Sequence, residues 1–196
     1  MSELRARITG IGIAVPKKVL TNQDFEKFLD TTDEWIVKRT GMKARHVVGE
    51  GESTATLAIA AARQVLEKTG TSADELDLIL VTTITPEMQC PSTACFVHDA
   101  LGCGDIPAFD IAAACSGFVY GLSVADQFIR TGTYKKILLI GADAMSRTAD
   151  YTDRGTCILF GDGAGAAILE PVAGDKGIQH ISIHADGKGW DLIHMP

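Results

Sequence analysis

A chain of 196 residues, 46% hydrophobic and 22% charged, has the make-up of one soluble globular domain with a sizeable core and not that of a disordered segment. Its net charge of −7 comes with no block of lysine or arginine, which excludes a nucleic-acid footprint, and no apolar stretch approaches the roughly 20 residues of a membrane helix. Cys90, Cys95, Cys103, Cys115 and Cys157 form an odd set with neither a Cys-x-x-Cys pair nor zinc-like spacing, so reduced thiols and no metal site are expected.

The residues from Met1 to Ile8 alternate charge with apolar side chains and lack the apolar core of a signal peptide, which predicts a cytoplasmic protein. Arg7 to Val15 reads as a strand ended by Pro16. Thr21-Asn22-Gln23-Asp24 opens a short helix through Leu29, and Asp33 is placed to cap a second one over Glu34 to Arg39 that Gly41 stops. On that second helix Trp35 and Arg39 stand four positions apart, so an indole and a guanidinium share one face. They form either a surface cation–π pair or a platform for a flat, anionic ligand. Ser53 to Lys68 is the clearest helix, with an apolar stripe of Leu57, Ala60, Ala61, Val65 and Leu66 and with Gly70 just beyond its end. Leu76 to Thr83 is a nearly continuous apolar run, as a central parallel strand covered on both faces requires. A loop signal from Pro86 to Pro91 leads into a helix from Ser92 to Leu101.

Phe109 to Ala114 reads as a short buried strand and Ser116 to Arg130 as a helix whose polar residues, Ser116, Ser123, Asp126, Gln127 and Arg130, make one narrow stripe. Cys115 falls where strand passes into helix, among the small residues Ala112, Ala113, Ala114 and Gly117. That placement has the logic of a nucleophile elbow: the positive end of a helix beside an approachable sulfur. On position alone a small buried hydrophobe is an equal reading. Lys136 to Ala144 gives another buried strand, so strands and helices alternate from Leu76 onward, the mark of a parallel sheet with right-handed crossovers. Beyond it, Cys157 to Phe160, Ala164 to Glu170 and Ile178 to His184 read as strand-like pieces between glycine-rich turns. Gly161 to Ala166 leads into no helix, so it is not a dinucleotide loop, and close backbone packing near the turn at Cys115 is expected of it.

The run Asp110-Ile111-Ala112-Ala113-Ala114-Cys115-Ser116-Gly117-Phe118 resembles the active-cysteine signature of the β-ketoacyl-acyl-carrier-protein synthase III family. The resemblance extends through Asp30 to Ile36, Arg39-Thr40-Gly41, Asp153-Arg154-Gly155-Thr156 and the stretch from His184 to Pro196. It implies the thiolase fold, an α/β class with a mixed, mostly parallel sheet and helices on both faces. Residues 1–196 would be the N-terminal one of its two similar halves. It further implies Cys115 as the nucleophile and an adenine of coenzyme A clamped between Trp35 and Arg154, with Gly155 beside the latter. Thr31 would give a polar contact near the base and Arg39 a charge for phosphates. Cys90 would lie at a loop tip that reaches across a homodimer and closes the partner's acyl pocket. Some relatives carry a bulky aromatic residue there, so acyl-chain size is left open.

The reaction implied is a decarboxylating Claisen condensation of an acyl-coenzyme A, acetyl above all, with malonyl-acyl carrier protein, which begins fatty acid synthesis. No metal or redox cofactor is needed; acyl-coenzyme A is a substrate. In the family the second half carries a catalytic histidine and asparagine, and His180, His184 and His194 do not fit its histidine pattern. A complementary C-terminal half is therefore an expected partner. Another coenzyme A-dependent cysteine enzyme of the same fold, or a non-catalytic half that only binds its complement, are the alternative readings.

Overall fold

The nearly continuous apolar run from Leu76 to Thr83 becomes the most enclosed strand. In the computed structural model, which describes residues 4–192, all five residues of β4 (Leu78–Thr82) are buried. Neighbouring strands are β5 (Ala108–Ile111) and β6 (Ile137–Ala144), both parallel to it. Beyond β6 lies β7 (Asp162–Ala173), antiparallel both to β6 and to β1 (Leu4–Ala14) at the sheet edge. The order is β1-β7-β6-β4-β5, and β7 alone runs against the other four strands. This is the expected mixed, mostly parallel sheet.

Alternation along the central strands sends successive side chains to opposite layers. Ile79, Val81, Leu138 and Ile140 pack with Ala61, Val65, Ala94 and Val97, so helices α3 (Thr54–Thr69) and α4 (Thr93–Leu101) cover one face. Leu78, Leu80 and Leu139 pack with Ala125 and Ile129, which puts α5 (Gly117–Arg130) on the other. Ser53, read as the first helical residue, instead caps α3 in a reciprocal capping box with Thr56, and Gly70 at φ +66° ends it as the sequence pattern predicts. No helix among the described residues is long and apolar enough to cross a membrane.

A second layer is built from short elements that sequence periodicity resolves poorly. Strands β2 (Lys18–Thr21) and β3 (Ala44–Val47) form a separate two-stranded antiparallel sheet that went unpredicted. Helix α1 spans only Asn22–Glu26, short of Leu29. Helix α2 (Asp33–Thr40) is capped by Thr32, whose hydroxyl accepts the Trp35 N–H, so Asp33 is its first residue and not its cap; Gly41 at φ +72° ends it. The tail also departs from expectation. Cys157 to Phe160 forms turns, residues 178–184 form no strand, and the glycine-rich stretch lies in and beside the single long β7. Gly161 packs on His46 and Arg45 of β3, not beside the turn of Cys115, with the His46 carbonyl 3.1 Å from where a Cβ would stand. His194 lies outside the described residues.

The polar stripe read along α5 is also not solvent-facing throughout. Asp126 is buried; one carboxylate oxygen accepts the Ala6 N–H at 2.9 Å and the other the Arg130 Nε–H at 2.5 Å. Ser116 and Gln127 of that stripe are exposed, and some apolar residues are exposed as well. Val119 on α5 and Ile11, Ile13 and Val15 in or just after β1 remain open, Ile13 to 63%.

Candidate active site

Strand β5 ends at Ile111, a 3₁₀ turn covers Ala114–Ser116, and α5 starts at Gly117. The strand is thus shorter than Phe109 to Ala114, and the junction is tighter than a strand running straight into a helix. Ala114 has φ +45°, in the left-handed region that costs a non-glycine residue about 1 kcal/mol. The Ser116 N–H closes the turn onto the Ala113 carbonyl at 3.1 Å, and Cys115 between them is exposed. Cys115 immediately precedes Ser116, the N-cap of the 14-residue α5, whose first-turn amides lack intrahelical acceptors. The equal alternative, a small buried hydrophobe, is not what the structure contains.

What fixes this junction is close approach. A Cβ on Gly121 would lie 2.6 Å from Leu139 Cδ1 and 2.8 Å from Thr82 Cγ2, and one on Gly117 would lie 3.3 Å from Thr82 Cβ. Gly141 opens β6 to Phe118 in the same way. Helix α5, which follows the turn of Cys115, is therefore seated directly on β4 and β6.

Two carboxylates missed by sequence reading anchor the neighbouring loop. Asp143 accepts from the Thr83 and Thr85 hydroxyls and from the Ile84 and Thr85 N–H groups. Asp110 accepts the Thr93 and Ala94 N–H groups at 2.7 and 2.8 Å, which holds the N-terminal turn of α4. The available signal was an aspartate inside an otherwise apolar strand, in β6 and in β5. Between these anchors lies an open groove of about 550 Å³ bordered by Thr83, Ile84, Met88, Gln89, Phe109, Asp110 and Ala112 among others. Cys90, the predicted gate, is exposed and follows these lining residues without itself bordering the groove; its bond to Pro91 is cis.

The residues expected around a nucleotide lie far apart in sequence and are brought together. The Arg39 guanidinium carbon is 4.0 Å from the Trp35 ring centre and that of Arg154 is 5.0 Å from it. Arg154 donates to the Asp30 carbonyl at 2.5 Å, with the Asp30 carboxylate 3.6 Å away. Gly155 follows in the same turn, where its N–H reaches the Asp153 carboxylate at 2.8 Å. The Thr31 hydroxyl is enclosed and has no protein partner among the described residues. Two van der Waals contacts of about 3.5 Å each need a gap of about 7 Å for a flat ring between Trp35 and Arg154. Against the present 5.0 Å, Arg154 must retreat by about 2 Å to admit one.

Cys90 and Cys95 are exposed like Cys115, whereas Cys103 is half-buried and Cys157 buried. Burial pushes the thiols of Cys103 and Cys157 above the ordinary thiol value, with the nearby Asp74 and Asp153 carboxylates adding to the effect. Burial and Asp162 also raise the Tyr151 phenol, which stacks beside Phe25.

Comparison with known proteins points the same way. Residues 109–187 match the family described as 3-Oxoacyl-[acyl-carrier-protein (ACP)] synthase III. The chain is 52% identical over 191 residues to a β-ketoacyl-[acyl-carrier-protein] synthase III of Thioalkalivibrio sulfidiphilus, covering 97% of this chain and 59% of that protein. A solved synthase III from Thermus thermophilus superposes with a TM-score of 0.91 at 40% identity, over 94% of this chain and 57% of that one. One from Aquifex aeolicus gives 0.82 at 49% identity, over 84% and 53%. The chain spans about 59% of the length of the curated relatives it matches.

Proposed function

This chain belongs to the 3-oxoacyl-[acyl-carrier-protein] synthase III family, with its thiolase-like fold, and from that premise we propose that it carries the acyl-accepting cysteine and the nucleotide clamp of a condensing enzyme. The observation that carries the reading is Cys115, exposed on a strained turn at the head of α5. A thiolate there attacks the carbonyl carbon of an acyl-coenzyme A. The carbonyl electron pair moves onto oxygen, and backbone N–H groups, that of Cys115 included, stabilise the oxyanion. Collapse expels the coenzyme A thiolate and leaves an acyl-Cys115 thioester. Malonyl-acyl carrier protein then loses carbon dioxide, and the carbanion attacks the acyl carbon. Return of the electron pair to Cys115 sulfur releases a 3-oxoacyl-acyl carrier protein.

Trp35 and Arg154 hold the adenine, Thr31 and Gly155 contribute polar contacts near it, and Arg39 meets phosphate. A complementary C-terminal half supplies the histidine and asparagine that stabilise the carbanion, and it covers the apolar surface of Val119, Ile11 and Ile13. The assembled protein works as a cytoplasmic homodimer, with the segment around Cys90 reaching the partner's acyl pocket.

Loading with radiolabelled acetyl-coenzyme A followed by peptide mapping tests the reading. Label is expected on Cys115 alone and is expected to vanish in Cys115→Ala. Label on Cys90 or Cys95, or undiminished label in the variant, would sink it.

A further inference from the structure

Arg45 on β3 is 4% exposed, although a guanidinium loses several kcal/mol of hydration on burial. Burial lowers its proton affinity, as expected for a cation poorly compensated by neighbouring charge. Its bonds go to two different parts of the molecule. Nε donates to the Ile158 carbonyl at 2.7 Å, and Nη1 donates to the Asn22 side-chain oxygen at 2.5 Å. Phe25 lies under the cation, 4.9 Å from ring centre to guanidinium carbon.

Each acceptor leads to one side of the clamp. Asn22 is fully buried, and its amide donates to the Asp33 carboxylate at 2.7 Å and to the Met42 carbonyl at 2.8 Å. Asp33 is the first residue of α2, and Met42 follows the glycine that ends it, so Asn22 grips this helix at both ends. Helix α2 carries Trp35 and Arg39. Ile158 lies four residues after Arg154 in the run of turns between β6 and β7, where the Cys157 N–H is tied back to the Asp153 carbonyl at 3.0 Å. The rigid plane of one guanidinium thus spans the two supports, a geometry that lysine cannot copy.

We propose that Arg45 is the positioning residue of the nucleotide clamp: by bridging Ile158 and Asn22 it sets the spacing between α2 and the Arg154 turn, and with it the preference for thioesters that carry a nucleotide. The inference rests on the coenzyme A reading above. Arg45 touches no substrate. Its effect is confined to the adenine end and leaves the Cys115 junction, which α5 and β4 hold independently, unchanged.

The test compares two acyl donors on the full chain: acetyl-coenzyme A and S-acetylpantetheine, which has the thioester and the pantetheine arm but no nucleotide. Arg45→Lys is expected to raise KM for acetyl-coenzyme A about tenfold at unchanged kcat, since misplacement by a fraction of an ångström weakens a stacked contact. KM for S-acetylpantetheine is expected to stay within about twofold. Trp35→Ala separates the two layers of argument. If it leaves the preference between donors intact, the clamp reading fails whatever Arg45 does; if it abolishes the preference while Arg45→Lys keeps it, only the Arg45 inference fails. Equal weakening toward both donors in Arg45→Lys would mark a general packing role and overturn the proposal. Should that variant not fold, Asp33→Ala removes the same linkage at the helix end. It is expected to raise KM for acetyl-coenzyme A about threefold and not for S-acetylpantetheine, and no change there would overturn the proposal as well.

Discussion

The Cys115 junction and the Trp35–Arg154 clamp are built by different means. At the junction the backbone does the positioning: a 3₁₀ turn, an alanine at φ +45° and glycines that let α5 sit on β4 and β6. At the clamp the side chains do it, and two of the three, Arg39 and Arg154, are exposed. A backbone-built site tolerates almost no added volume because its neighbours are fully buried and cannot yield. A side-chain-built site can open and close, and the present 5.0 Å spacing requires that it open for a ring to enter. On the proposed function, rigidity would serve the atom that forms a covalent bond and adjustability the part that recognises the carrier of the acyl group.

The largest effect should come from removing the nucleophile. Cys115→Ala is expected to lower acyl transfer by at least ~10⁴-fold while the melting curve barely moves, because an exposed thiol contributes little packing. Residual transfer near the original rate would move the chemistry elsewhere. Next is thiol selectivity. Under limiting iodoacetamide at about pH 7.5, Cys115 should react first and Cys157 last, by more than about tenfold. The sign follows from the reactive form: burial raises the Cys157 thiol, so less thiolate exists near neutrality and its rate keeps climbing at higher pH. A selectivity that does not narrow as pH rises would mean that access alone controls it. The third effect probes the rigid side of the comparison. Gly121→Ala gains about 1 kcal/mol of helix propensity but forces contacts of 2.6 and 2.8 Å whose relief costs about 1–3 kcal/mol. A net loss of ~1 kcal/mol in denaturant unfolding is expected, together with slower acylation and unchanged coenzyme A affinity. A variant as stable and as fast as the parent would show that the junction is softer than its contacts imply.

The sequence made the two sites legible to different degrees. Cys115 was a candidate because an apolar run, small residues and a helical period meet at one point, local information that left it even with a small buried hydrophobe until the family resemblance decided between them. Residues such as Trp35 and Arg154 show no mutual spacing that could announce a contact, and only the family resemblance paired them. The central strands were readable because burial on both faces makes them apolar throughout. Strand β7 was read short, as Ala164 to Glu170, because Gly161 and Gly163 read as a turn, whereas it spans Asp162–Ala173 and pairs with β6 and β1. Asp126 was read only as part of a narrow polar stripe, since nothing in a helical period reports that Ala6 and Arg130 will claim its two oxygens. Arg45 escaped for the same reason: its partners come from α1 and from the turns between β6 and β7, joined only by the fold.

The smallest effect concerns Asp30, and it sharpens the comparison from the adjustable side. Arg154 reaches this residue twice, through the carbonyl at 2.5 Å and toward the carboxylate at 3.6 Å. Water surrounds the carboxylate, and the guanidinium is itself about half exposed, so screening leaves the ionic part little weight. Asp30→Asn keeps the carbonyl and removes the charge. KM for acetyl-coenzyme A should therefore shift by less than about twofold, toward tighter binding, because an Arg154 freed of one competitor retreats more readily by the ~2 Å that a stacked ring requires. A severalfold weakening in Asp30→Asn would mean that the exposed ion pair holds Arg154 in its binding position, and the clamp would then be as preorganised as the junction it has been set against.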